Sequence, residues 1–131
     1  PLYSSAASDV YKRQEIYDVV LRAQKAGVAA SVPGAKLADV DAACRDVISA
    51  AGYGDYFVHS TGHGVGLDVH EAPFAAQTGK GKLAAGMTLT IEPGIYVPGK
   101  GGVRIEDTLI ITDGAPKIIT AATKEFTELP A

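Results

Sequence analysis

The apolar pattern of this 131-residue chain changes once, from a helical period to a strand-like pattern. Apolar side chains recur at helical spacing in the first half, which predicts two amphipathic helices. The later apolar stretches are short, rich in β-branched residues and separated by turn residues, which is typical of strands. The segments are helices 15–30 and 36–51 and strands 56–58, 87–91 and 103–111. Helices followed by antiparallel-type strands indicate an α+β domain, with two helices packed on a mainly antiparallel sheet.

Two local signals refine this outline. The Asp113-Gly114 pair predicts a hairpin turn between strands 108–112 and 117–120. The single cysteine, Cys44, falls on the apolar face of the second helix. We therefore interpret it as a small core residue, since one cysteine forms no internal disulfide and nothing in its surroundings indicates a nucleophile.

Composition excludes several classes of protein. Twelve basic and fifteen acidic residues give a net charge of −3, which argues against a nucleic-acid binder. No apolar run approaches the ~20 residues of a transmembrane helix, so we expect no membrane partner and a cytoplasmic location. Hydrophobic residues make up 47% of the chain and charged residues 21%, which is enough apolar material for a folded core.

The first fourteen residues differ from the rest. Residues 1–14 read PLYSSAASDVYKRQ, without a helical or strand period and without the basic and apolar regions of a signal peptide. Residues 4–14 resemble a translated sequencing adapter. We therefore expect residues 1–14 to be a disordered, adapter-derived tail and residues 15–131 to be the native domain. A natural flexible N-terminus is the alternative.

All three histidines, His59, His63 and His70, lie within twelve positions of a glycine-rich stretch. Two of them are four residues apart, as in the two-histidine helix of some metalloproteases, but the glycines predict a loop here instead. A lone histidine is usually a hydrogen-bonded structural residue. Three in one turn, with none elsewhere, favour a chemical role.

Two glutamates and an arginine occupy strand-like segments where charge needs a reason. Glu92 ends one apolar strand, and Arg104 and Glu106 are two apart in another, so they share one face. The simpler interpretation is a solvated Arg–Glu pair, worth ~0–1 kcal/mol. The functional one is that both glutamates converge with one imidazole on a cation, a donor set that suits Mn²⁺, Co²⁺, Zn²⁺ or Fe²⁺.

These motifs, taken in order, resemble those of the pita-bread metallopeptidases, which include Xaa-Pro aminopeptidases, prolidases and methionine aminopeptidases. The arginine two residues before the second glutamate is more similar to the Xaa-Pro aminopeptidase and prolidase branch. The resemblance extends from residue 15 to about residue 119. It is carried by His59, His63-Gly64, His70-Glu71-Ala72-Pro73, Glu92-Pro93-Gly94 and Gly102-Val103-Arg104-Ile105-Glu106-Asp107.

The resemblance implies the C-terminal part of a pita-bread fold and a metal-dependent exopeptidase that removes the N-terminal residue from Xaa-Pro peptides or dipeptides. It implies two divalent ions (Mn, Co, Zn or Fe) with a hydroxide between them. His63, Glu92 and Glu106 match metal ligands, and Glu92 also matches a general base. His59 and His70 match histidines that hold substrate and stabilise the intermediate. Arg104 matches an arginine that orients the site.

The same resemblance implies two aspartate ligands upstream of residue 15, which this chain lacks. Asp9 is the only upstream acid, and its neighbourhood leaves too few residues for a hairpin before the helix. We therefore expect an incomplete metal site, a partial catalytic domain over residues 15–131 and a poor catalyst. The intact parent is expected to bind peptide and to form a homodimer. The alternatives are a non-catalytic pita-bread binding module and a creatinase-like hydrolase, because fold alone does not settle the substrate.

Overall fold

The structure is a computed structural model that describes residues 2–127, with side chains from residue 11 onward. It has the expected α+β architecture, with two helices preceding a set of short strands. The elements are α1 (Leu2–Ala30), α2 (Leu37–Ala50), a 3₁₀ turn (Gly54–Tyr56), β1 (Gly62–Gly64), β2 (Glu71–Ala75), β3 (Thr88–Ile91), β4 (Gly94–Val97), β5 (Gly101–Arg104), β6 (Asp107–Ile110) and β7 (Lys117–Ile118). Within residues 2–127, neither helix is both long enough and apolar enough to cross a membrane.

The described strands pair in antiparallel fashion, as predicted. Strand β1 pairs with β2, β4 pairs with β5, and β3, β6 and β7 form a three-stranded sheet in the order β3-β6-β7. The hairpin that Asp113-Gly114 predicts joins β6 to β7. The described strands therefore form three small sheets, and the β4–β5 pair is inserted between β3 and its partner β6.

The two helices pack on each other through a close contact at Gly27. A Cβ atom there would collide with Cys44 Sγ and would lie 2.9 Å from Ile91 Cγ2, so only glycine lets α1, α2 and β3 meet. The predicted apolar faces form the core. The buried apolar residues include Ile16, Val19, Val20, Ala23, Leu37, Val40, Cys44, Ile48, Leu89, Ile91, Ile95, Leu109 and Ile111.

The predicted strand at 56–58 is wrong. Gly54–Tyr56 is a 3₁₀ turn, in which the amides of Tyr56 and Phe57 donate to the carbonyls of Tyr53 and Gly54. Those short-range bonds use the donors that a strand partner would need. The apolar run still has a structural role, because Phe57 is buried in the core.

The predicted strand at 103–111 is divided in the structure. Strand β5 ends at Arg104 and pairs with β4, whereas β6 begins at Asp107 and pairs with β3. Pro93 causes a matching interruption on the other side, because proline has no amide to donate to a ladder. Glu92-Pro93 therefore lies opposite Ile105-Glu106, and we call these four residues the β joint.

Residues 2–14 also differ from expectation, because the structure continues α1 through them instead of leaving a disordered tail. A helix extends from an existing helix at little cost, and no proline or glycine stops it here. The exposed side chains of residues 11–15 agree with a segment that makes few contacts. Its origin from an adapter stays a prediction.

Deleting residues 1–14 should leave the midpoint of thermal unfolding nearly unchanged, because residues 11–14 bury no side chain. A matched deletion through Val20 also removes the buried Ile16, Val19 and Val20 and should prevent stable folding. Circular dichroism melts of both chains measure the difference. A large loss of stability in the shorter deletion would make the segment a structural element.

Cys44 gives the fold a specific dependence on alkaline pH. Burial raises the pKa of its thiol from 9.0 to about 12, and the thiol donates a hydrogen bond to the Ala23 carbonyl 3.2 Å away. A group with a raised folded pKa stabilises fully below its unfolded pKa and loses that effect as pH rises toward the folded value. We therefore expect the melting temperature to fall between about pH 9 and 12, and to fall less steeply in Cys44→Ala. Parallel slopes in the two proteins would contradict this.

Candidate functional site

The β joint places the two candidate glutamates across from each other. Glu92 follows β3 directly, and its backbone amide donates to the Thr61 carbonyl at 2.7 Å. On the opposite side, the Ile105 amide reaches the Pro93 carbonyl at 3.4 Å, immediately before Glu106. Both carboxylates therefore occupy the interruption, where the backbone leaves one ladder and enters the next.

His63 meets Glu92 at this joint. Its Nε2 lies 3.1 Å from Glu92 Oε1, and both side chains are mostly buried, with 13% and 14% exposure. Thr90 connects them, because its hydroxyl lies 3.0 Å from Glu92 Oε1 and accepts the His63 amide at 3.0 Å. The imidazole and the carboxylate are thus fixed by backbone as well as by their mutual contact.

The hydrogen bonds of His63 define which ring nitrogen carries the proton. Nδ1 lies 2.8 Å from the Gly64 carbonyl, which only accepts, so Nδ1 is the donor. In a neutral ring, Nε2 then presents a lone pair toward a carboxylate oxygen. Two acceptors 3.1 Å apart need a proton between them, on the ring or on the carboxyl group, or a cation beside them. This pairing fits a metal-binding role for His63 and Glu92.

Arg104 lies between the two carboxylates. Its Nε is 3.8 Å from Glu92 Oε2 and 3.9 Å from Glu106 Oε2, and its side chain is 54% exposed. The guanidinium therefore offsets the repulsion between the glutamates, with a modest energy because solvent screens it. Within residues 11–127, no group of three or more His, Cys, Asp and Glu side chains lies close enough to hold a metal. The metal-ligand roles of His63, Glu92 and Glu106 stay predictions.

Glu106 is positioned by its neighbour on β6. The buried Asp107 accepts a hydrogen bond from Gln24 of α1 at 2.7 Å. Lys124 Nζ lies 2.7 Å from the other carboxylate oxygen as an ion pair, although its approach does not meet hydrogen-bond geometry. These contacts fix the start of β6 against α1, and Glu106 is the residue just before it.

The other two histidines lie in different surroundings. His70 packs its ring edge-on against His63, with centroids 4.6 Å apart, so it belongs to the same cluster. His59 instead places Nε2 2.9 Å from the Tyr96 hydroxyl and packs against Phe57. Tyr96 lies over Gly94, next to the joint, so His59 is linked to the joint through the tyrosine. The catalytic roles of His59 and His70 stay predictions.

The sequence interpretation missed Thr90 and Tyr96. Thr90 precedes Glu92 by two residues on a strand, so alternation alone predicts that their side chains share a face. Tyr96 follows Gly94 by two residues, but its hydrogen bond to His59 spans 37 positions and has no local signal. Thr61 was missed as well, because it acts on Glu92 through a backbone carbonyl.

The comparisons with known proteins place the chain in a family. Residues 4–113 match the model of metallopeptidase family M24, so the chain belongs to that family. It is 51% identical over 115 residues to an Xaa-Pro dipeptidase from Pyrococcus furiosus, covering 88% of this chain and 33% of that protein. The chain thus spans about a third of the length of the curated relatives it matches.

Solved structures give the same result for the fold. The prolidase from Pyrococcus horikoshii superposes with a TM-score of 0.86 at 50% identity, covering 88% of this chain and 33% of that one. An X-Pro aminopeptidase from Thermotoga maritima gives 0.84 at 34% identity, covering 87% and 32%. The predicted family and fold class are therefore confirmed. The matched region begins at residue 4, within the segment interpreted as an adapter.

Gly62 is the residue that lets β1 approach β3 at this site, and its substitution should separate them. A Cβ atom at Gly62 would overlap the Thr90 carbonyl. We expect Gly62→Ala to destabilise the fold by about 1–3 kcal/mol, the usual cost of overpacking. Gly114→Ala is the control, because a Cβ there meets nothing within 4 Å. Urea unfolding measures both, and equal stabilities would contradict the close approach.

Proposed function

We propose that this chain is part of a metal-dependent exopeptidase that hydrolyses the N-terminal residue from Xaa-Pro dipeptides or peptides. The observation that carries the proposal is His63 Nε2 facing Glu92 Oε1 at 3.1 Å, with Nδ1 already committed to a carbonyl. Family membership and the 51% identity to a protein named Xaa-Pro dipeptidase support the same activity.

His63, Glu92 and Glu106 would hold two divalent metal ions, which would be Mn, Co, Zn or Fe. When bound, such ions supply an acidified water and a polarised peptide carbonyl. Glu106 would join the other two ligands from across the β joint, where Arg104 lies near both carboxylates. The expected fourth and fifth ligands are aspartates outside this chain.

The remaining site residues divide the other tasks. Glu92, already accepting from Thr90, is suited to take up a proton as general base. His70, exposed beside His63, and His59, held by Tyr96, would bind the substrate and stabilise the charge that develops on its carbonyl oxygen. Arg104 would keep the two glutamates oriented.

Identity favours a dipeptidase over an aminopeptidase. The chain is 51% identical to the Xaa-Pro dipeptidase of P. furiosus and 34% identical to the X-Pro aminopeptidase of T. maritima. We further propose a cytoplasmic, homodimeric parent. A non-catalytic module and a creatinase-like hydrolase are the competing functions, and they are separated from this one by turnover of Xaa-Pro substrates.

Activity is best tested by transplanting residues 15–127 into the matching third of the P. furiosus Xaa-Pro dipeptidase. That enzyme would supply the residues this chain lacks, so we expect the chimera to cleave an Xaa-Pro dipeptide in the presence of Mn²⁺. Chimeras with Glu92→Gln or His63→Gln should lose activity by several orders of magnitude. Glu125→Gln is the control, because Glu125 is exposed outside the site.

The 131-residue chain alone should show weak Mn²⁺ binding and little turnover, since its ligand set is incomplete. A folded chimera without activity would favour the binding module. Robust turnover by the isolated chain would contradict the expectation that two ligands are missing.

A further inference from the structure

We propose that Asp41 and Arg45 of α2 are positioning residues that set where Glu92 lies relative to His63. They act by holding the segment 57–61, which we call the anchor segment, between α2 and the β joint. The inference deepens the proposed function and rests on it for its chemical meaning, although the structural coupling can be tested separately.

Asp41 holds the end of the anchor segment. Its side chain is 1% exposed, and its Oδ1 accepts hydrogen bonds from the Thr61 amide at 3.1 Å and from the Thr61 hydroxyl at 3.0 Å. Arg45, one helical turn later, donates to both carboxylate oxygens, at 2.8 and 3.1 Å. The carboxylate is therefore fully paired, and its orientation is fixed from two sides.

Arg45 holds the beginning of the same segment. Its two terminal nitrogens each donate at 3.0 Å, one to the Phe57 carbonyl and the other to the His59 carbonyl. Its guanidinium carbon lies 4.2 Å from the centre of the Phe57 ring. This planar group contacts several fixed partners at once, and lysine lacks the geometry to do the same.

The anchor segment transmits this position to the β joint. Thr61, fixed by Asp41, accepts the Glu92 amide at 2.7 Å through its carbonyl. Two residues later, the His63 amide donates to Thr90, whose hydroxyl contacts Glu92. The anchor segment thus leads directly into His63, and its last carbonyl holds the backbone amide of Glu92. A shift of the backbone at Thr61 would therefore move both partners of the 3.1 Å contact.

Stability alone is a weak reason for this ion pair. Burying a carboxylate and a guanidinium costs desolvation energy that their attraction often only balances. What the pair adds is orientation, because two hydrogen bonds join Arg45 to Asp41 and four more connect the pair to residues 57–61. Residues that orient the ligands of a metal commonly change its affinity by about tenfold or more.

The test uses the 131-residue chain and variants that perturb the anchor segment to different degrees. Thr61→Val removes only the hydroxyl that donates a hydrogen bond to Asp41, and Thr61→Ser keeps that hydroxyl. Asp41→Asn removes the negative charge of the carboxylate. Asp39→Asn and Asp46→Asn are the controls, since both acids are exposed on α2. Thr61→Val keeps the test valid if Asp41→Asn fails to fold.

The first measurement is amide hydrogen exchange by NMR. We expect Thr61→Val and Asp41→Asn to speed exchange at the amides of Thr61, His63 and Glu92 well beyond the change at core amides of α1. Thr61→Ser and the two controls should match the parent chain. An exchange increase spread evenly over the molecule, in proportion to lost thermal stability, would reduce the pair to a structural role and overturn the proposal.

The second measurement is Mn²⁺ affinity, followed by electron paramagnetic resonance of the free ion. Thr61→Val should weaken binding about tenfold, and Thr61→Ser should restore it. If the parent chain binds no Mn²⁺, the proposed function loses support while hydrogen exchange still decides the inference. If the parent binds Mn²⁺ and Thr61→Val binds equally well without local exchange changes, the positioning role fails and the proposed function stands.

Discussion

The site depends on an interruption in hydrogen bonding between two pairs of strands. If the strands were continuous, the side chains of Glu92 and Glu106 would follow the regular alternation between the two faces of one sheet. Instead, Pro93 withholds an amide, β3 and β4 part there, and the facing strands change partners at the same level. The two glutamates emerge from this break, where carboxylates reach a common space while the apolar strands on either side remain in the core.

Close backbone approach is the second constraint on the site. Gly62 lies against the Thr90 carbonyl, and Gly64 lies against the Ala72 carbonyl, so β1 is held between two neighbours that leave no room for a Cβ. His63 stands between these glycines. The backbone on both sides of His63 is therefore fixed by these close contacts. The direction of the imidazole follows from this backbone position as well as from the hydrogen bonds of the ring.

Periodicity predicted α2 and the C-terminal end of α1 well, because both have an apolar face and a clear end, but it missed the extension of α1 through residues 2–14. Helix α2 occupies Leu37–Ala50 against the predicted 36–51, and its Cys44 is buried as expected. The local pattern failed where backbone bonding overrides apolar content, as in the 3₁₀ turn at Gly54–Tyr56. It also failed at the division of 103–111, because Pro93, on a different segment, determines where that strand ends.

Sequence reasoning found the site residues whose type is unusual for their local surroundings and missed those whose role depends on distant contacts. His63, Glu92 and Arg104 are charged or ligating groups in apolar or glycine-rich surroundings, and the structure brings them together. Asp41, Arg45 and Thr61 have no such signal. An acid and a base four residues apart on a helix are indistinguishable in sequence from a solvated pair. Only burial and the long-range bonds to Thr61 and His59 separate the two cases.

Two arginines carry the positive charge at and beneath the β joint, and their surroundings differ. The half-exposed Arg104 is the cation between Glu92 and Glu106, whereas the partly buried Arg45 is paired with Asp41 and donates to the Phe57 and His59 carbonyls. The two arginine side chains therefore differ in solvent exposure, which is 54% for Arg104 and 17% for Arg45. The exposed arginine therefore neutralises the two glutamates beside water, whereas the other fixes the backbone of residues 57–61 beneath them.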